Sequence, residues 1–174
     1  MATSSTGSGG EFLAKKSDIT KLRKALPPLS DVLIVEDETF DVERLTATLR
    51  VMFGYDLEVR RASTLATALD RVIEKRPEII FLDDILKPSD TALNSIPYLR
   101  HATYEGPIVV ISGQVARARR NELMAAGATD VIHKDDVDSV RLAEALLRVF
   151  AGSAPKERLA ESAPAAKGSK AKPA

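Results

Sequence analysis

No cysteine occurs among the 174 residues, and the two histidines, His101 and His133, stand far apart. The first absence excludes disulfides, thiolate metal sites and a cysteine nucleophile. The second leaves little for a zinc centre built on imidazoles. No apolar run approaches the roughly 20 residues of a membrane span. The N-terminus is polar and lacks the apolar core of a secretory signal, so the cytoplasm is the expected compartment. Net charge is also missing, with 25 basic against 25 acidic residues. That balance is uneven along the chain. Residues 1–28 and 151–174 each carry about +3, which leaves about −6 for the middle. The basic ends are expected to be solvated and to bind nucleic acid only without sequence preference.

Against these absences stands a repeated design. Ile79-Ile80-Phe81-Leu82 is a continuous apolar run that ends in Asp83-Asp84. Such a run reads as a strand buried on both faces. It must stop at the aspartates, because buried carboxylates are costly unless paired or metal-bound. Val32-Leu33-Ile34-Val35 ends likewise in Glu36-Asp37-Glu38. Ile108 to Ile111 ends in Ser112-Gly113, and Val131-Ile132 ends in His133-Lys134. If these strands are parallel, acids, a hydroxyl and a lysine meet at one sheet edge.

Helical patterns alternate with the strands. Residues 38–52 place Phe40, Val42, Leu45, Leu49 and Met52 at helical spacing, with Gly54 after them. Residues 57–61 form a weaker edge strand. Ser63 is the expected cap of a helix that turns Leu65, Ala66, Leu69, Val72 and Ile73 inward. Pro97 sits badly in a helix interior, so ordered turns are expected to start only near it. Helices are further expected over 115–126 and 137–150, and a short one over 17–26 that ends at Pro27-Pro28. The whole is an α/β domain of (βα)5 type: a doubly wound, five-stranded parallel sheet with strand order 2-1-3-4-5. Residues 1–28 are expected to be a flexible segment with that short helix, 29–150 the domain, and 151–174 a disordered Ala/Lys/Pro-rich tail. Nothing after Phe150 is expected to fold into a DNA-binding or catalytic unit.

Glu36, Asp37 and Asp84 would then converge at the crevice between the first and third strands. Like charges at ~4 Å repel by ~4 kcal/mol at an effective dielectric of ~20. They need raised pKa values or a cation, and an all-oxygen donor set suits Mg2+. A carboxylate beside Mg2+ can attack phosphorus. Lys134 and the Ser112 hydroxyl could meet the added charge.

These residues resemble the receiver domain of two-component response regulators, over about residues 30–150, in the flavodoxin-like fold. Glu36-Asp37 is similar to the family's acidic pair. Asp84, four residues before Pro88, is similar to its acceptor aspartate, Ser112 to its hydroxyl residue, and Gly127 to Lys134 to the stretch leading to its lysine. The resemblance implies that Asp84 takes a phosphoryl group from a sensor histidine kinase or histidine phosphotransfer protein. Glu36, Asp37, Asp84 and the Leu86 carbonyl would hold Mg2+, and Ser112 and Lys134 would bind phosphoryl oxygens. The chain would signal to a downstream protein by contact, with no enzyme activity beyond its own phosphorylation and dephosphorylation.

Departures from the family pattern are Val131 in place of a Tyr or Phe, Asp135 after the lysine in place of Pro, and Ala92 in place of Gly. Asp83 is an unusual acid before the acceptor. It could join the metal site or be the acceptor itself, but the spacing to Pro88 favours Asp84, and alternation turns Asp83 away. His133 reads as the end of a strand, and Arg117, Arg119 and Arg120 as a solvated helix face rather than a dock for an acidic partner. A pseudo-receiver that only binds protein and a Mg2+-dependent phosphatase-like enzyme are the alternative functions.

Overall fold

A computed structural model describes residues 20–152. The expected flexible start and disordered tail therefore fall, for residues 1–19 and 153–174, outside the described residues. Helical residues 20–25 (α1) lead into β1 (Asp31–Val35), α2 (Thr39–Phe53), β2 (Glu58–Ala62), α3 (Leu65–Glu74) and β3 (Ile79–Asp83). Two short strands, β4 (Ile85–Leu86) and β5 (Asp90–Thr91), pair antiparallel before α4 (Ala92–His101). Then come β6 (Ile108–Ser112), α5 (Arg117–Ala126), β7 (Asp130–His133), a 3-10 turn (Lys134–Asp136) and α6 (Ser139–Ala151).

The main sheet runs β2-β1-β3-β6-β7, and every pairing in it is parallel. This is the predicted order once β4 and β5 are set aside. Every residue of β1, β3 and β6 is buried, as continuous apolar runs in a doubly covered sheet require. Alternation sorts them into two cores. Val32, Ile34, Ile79, Phe81, Val109, Ile111 and Ile132 pack with Leu45 and Leu49 of α2 and Leu142 and Leu146 of α6. Leu33, Val35, Ile80, Leu82, Val110 and Val131 pack with Val72 of α3, Ile96 and Leu99 of α4 and Leu123 of α5.

Several local expectations change. Leu26 is buried in the first core with Leu22 against it, so residues 20–28 are not all a flexible lead. Arg23 Nε donates to the Met52 carbonyl at 3.0 Å and satisfies a last-turn acceptor of α2. Thr64, not Ser63, caps α3, through a reciprocal capping box with Thr67. Phe40 and Ile73 lie on the solvent side, off the stripes set by Val42, Leu45, Leu49 and Met52 and by Ala68 and Val72. The fourth helix starts at Ala92 and runs through Pro97. Burial of Ala92, Ser95, Ile96 and Leu99 outweighs the hydrogen bond that the proline cannot make. α5 ends on Gly127 at φ 114°, a left-handed turn that favours glycine.

Candidate functional site

The carboxyl edge of the sheet carries all the predicted groups, but the two faces divide them. Ile34 pairs with Phe81, and Asp83 with Ile111, which in turn pairs with Ile132. Counting on by twos, Glu36, Asp83 and Lys134 share the face toward α2 and α6. Asp84 and Ser112 continue the Leu82–Val110 row and share the face toward α5. The two aspartates do face opposite sides, but Asp84 is the one turned away from Glu36 and Lys134, not Asp83 as expected from sequence.

The contacts follow this division. Lys134 Nζ lies 3.1 Å from Glu36 Oε2, 2.8 Å from Asp41 Oδ2 and 3.1 Å from Asp83 Oδ1, so each of its three donors meets a carboxylate. Glu36 also accepts the Glu38 backbone N–H at 2.9 Å. One carboxylate oxygen from each of Glu36, Asp37 and Asp83 lies within 4.8 Å of the others. Such a hard-oxygen cluster suits Mg2+, and these residues fit that ion better than the Glu36, Asp37 and Asp84 set expected from sequence. Leu86, whose carbonyl the resemblance adds to the metal ligands, lies in β4, opposite Asp90.

Electrostatics mark Asp83 further. Burial, then repulsion by Glu36, pushes its carboxyl up to about 6, although Lys134 opposes the rise. Burial acts to lower the Lys134 ammonium. Hydrogen bonds to Asp41, Glu36 and Asp83 outweigh it, and the group titrates above its ordinary value. The lysine therefore stays charged at any physiological pH.

Asp84 has different company. Arg119 grips it with a two-pronged pair, Nη2 to Oδ1 at 2.6 Å and Nε to Oδ2 at 3.2 Å. Ser112 Oγ lies 3.0 Å from Asp84 Oδ2 and 2.9 Å from the Gln114 carbonyl, and its single hydrogen serves one of them at a time. The hydroxyl also accepts the Gln114 N–H at 3.1 Å. His133 donates through Nε2 to the Gly113 carbonyl at 2.9 Å and accepts the Asp135 N–H on Nδ1. It ends the strand, as expected, and also ties the β6–α5 loop to β7.

Sequence reasoning missed two participants. Asp41 is the first-turn acid of α2, aimed at Lys134. Arg119 belonged to a presumed solvated face, yet it ends on a buried carboxylate. Lys87 lies 3.5 Å from Asp37 and 3.8 Å from Glu38 at the open side. One cleft is lined by Glu36, Asp37, Asp83, Asp84, Ser112, Arg119 and Lys134, among others.

The sequence profile of the response regulator receiver domain matches residues 32–147. No curated protein matches. Solved structures that are similar include a chemotaxis response regulator of Vibrio cholerae, at 24% identity and a TM-score of 0.61, covering 70% of this chain and 98% of that one. A putative response regulator from Chloroflexus aurantiacus is 25% identical, with a TM-score of 0.56, covering 69% of this chain and 98% of that one. The BeF3-activated N-terminal receiver domain of Klebsiella pneumoniae RstA is 23% identical, with a TM-score of 0.60 and the same two coverages. These likenesses carry the fold.

Proposed function

Since the chain belongs to the response regulator receiver domain family, we propose that Asp83 accepts a phosphoryl group from a phosphohistidine donor in a Mg2+-dependent reaction. The donor is a sensor histidine kinase or a histidine phosphotransfer protein, and the signal passes on by protein contact. The observation that carries this choice is that Asp83 shares a 4.8 Å carboxylate cluster with Glu36 and Asp37 and stands 3.1 Å from Lys134. The count to Pro88 selects Asp84 instead, but that carboxylate is engaged by Arg119 and Ser112.

Each residue has a role that its chemistry supports. An oxygen of Asp83 forms a P–O bond as the P–N bond of the donor breaks, and the leaving imidazole takes up a proton. Mg2+ held by Glu36, Asp37 and Asp83 would offset the charge of the incoming group. Lys134 keeps one donor on the modified residue, with Glu36 and Asp41 fixing its ammonium in place. The Ser112 hydroxyl exchanges an acceptor within the cleft for a phosphoryl oxygen. Water later attacks phosphorus, the acyl P–O bond breaks, and carboxylate and inorganic phosphate return.

Incubation with acetyl phosphate and Mg2+, followed by intact mass, tests the assignment. The wild type should gain one phosphoryl group, Asp83→Asn none, and Asp84→Asn should keep a site for it. Gain that survives Asp83→Asn and disappears in Asp84→Asn would make Asp84 the acceptor. A wild type that gains nothing would be a pseudo-receiver, and turnover of phosphate esters in trans would mark a phosphatase-like enzyme.

A further inference from the structure

Arg119 is a partly exposed cation that reaches the buried Asp84 from the first turn of α5. Leu123 is the one buried residue in this ten-residue helix. Ala126, partly buried, packs against the same core, and two arginines on the first turn add ionic contacts. Arg119 meets Asp84, while Arg120 Nη2 meets the buried Asp130 at 2.6 Å and its Nη1 donates to the Val131 carbonyl, also at 2.6 Å. The start of the helix is thus tied by charge to two buried aspartates, while Leu123 and Ala126 pack its later turns against the core. One of those aspartates is the direct neighbour of Asp83.

The Arg119 fork is only partly spent. Nε and Nη2 bind Asp84, and Nη1 faces Glu122 at 3.5 Å, an exposed pair of little strength. The Arg119 side chain lines the same cleft as Asp83, Ser112 and Lys134 and keeps a quarter of its surface exposed. Across the cleft, Lys134 already has a carboxylate on each of its donors. A phosphoryl group brings about −1.5 to −2 charges and three strong acceptor oxygens. An arginine with spare N–H groups answers that need better than Glu122 does.

We infer that Arg119 is a second cationic ligand of the phosphoryl group, oriented by Asp84, which acts as a positioning residue. Arg119 keeps its grip on Asp84, turns Nη1 from Glu122 to a phosphoryl oxygen on Asp83, and draws the start of α5 with it. Ser112, which shares Asp84 Oδ2, moves in the same event. Arg119 thus provides a charged coupling of site to helix in a chain whose Val131 is too small for an aromatic one. The inference rests on Asp83 as acceptor.

Beryllofluoride with Mg2+ is the probe, and amide chemical shifts and affinity are the readouts. Wild type should bind it with shifts at 112–115 and along 117–126. Arg119→Gln should bind it roughly tenfold more weakly, lose the shifts along 117–126, and retain wild-type Mg2+ affinity. Arg119→Lys should recover part of the affinity, and Asp84→Asn should also weaken binding. Asp84→Asn combined with Arg119→Gln should be no worse than Arg119→Gln alone, because the two act as one unit. Unchanged beryllofluoride affinity in folded Arg119→Gln overturns the inference. So does an equal loss of Mg2+ affinity, or additivity in the double variant. If wild type takes up no phosphoryl mass from acetyl phosphate, or Asp83→Asn still does, the reading of the acceptor fails instead.

Discussion

Replacing Asp83 by asparagine should stabilise the metal-free protein at neutral pH, while the same change at Asp84 should destabilise it. The Asp83 carboxyl moves from 3.8 to about 6 in the folded chain, through burial first and Glu36 second. A shift of about two units at 1.36 kcal/mol each means that the charged form costs the native state about 3 kcal/mol. Between about pH 4 and pH 6 the folded protein holds a proton that the unfolded chain has released. Raising the pH through that window therefore lowers stability, and above it the full loss is present. The amide of the variant has no charge to lose. In EDTA the two proteins should be equally stable below about pH 4. At pH 7.5 the variant should melt roughly 6–12 °C higher. Asp84→Asn removes the charge from the pair with Arg119 and leaves its fork one acceptor oxygen in place of two, while Ser112 keeps the Gln114 carbonyl. It should cost about 1–2 kcal/mol, the guanidinium being partly solvated. Mg2+ should narrow or reverse the Asp83 difference, since a ligand that binds only the native wild type raises its stability. The assay is thermal and urea unfolding of the three proteins across pH, with and without Mg2+. Asp83→Asn melting at or below wild type in EDTA at pH 7.5 would refute the reasoning.

Three further outcomes are expected. Titration calorimetry should show Mg2+ binding that Asp37→Ala weakens at least tenfold and Asp84→Asn leaves nearly unchanged, because Asp84 lies outside the carboxylate cluster. Lys134→Met should lower the yield of phosphorylated protein from acetyl phosphate, and it should destabilise the metal-free chain by leaving Glu36, Asp41 and Asp83 without their shared cation, which urea unfolding would register. Leu26→Ala should cost about 2 kcal/mol in the same assay, because that side chain is buried in the core although it precedes the family match; no loss would show that the N-terminal helix adds nothing.

Much of this protein can be read from local sequence. Four apolar runs, each ending in polar chemistry, require buried strands that stop at one edge. Parallel strands joined by right-handed helical crossovers then give the sheet order. Glu36, Asp37, Ser112 and Lys134 follow, because each stands at the end of a run and has nowhere else to go. Spacing to Pro88 favours Asp84 over its neighbour, yet it is Asp83 that meets the lysine in the folded chain. Alternation says that Asp83 and Asp84 face opposite sides, but not which side holds Lys134. That depends on register across strands far apart in the chain: Asp83 opposite Ile111, and Ile111 opposite Ile132. Asp41 and Arg119 were hidden for a related reason. A charged residue on a helix looks solvated until the helix is docked, and only packing shows that Arg119 ends on a buried carboxylate. The run through Pro97 and the burial of Leu26 are also tertiary outcomes, in which burial of a helical face outweighs a local preference.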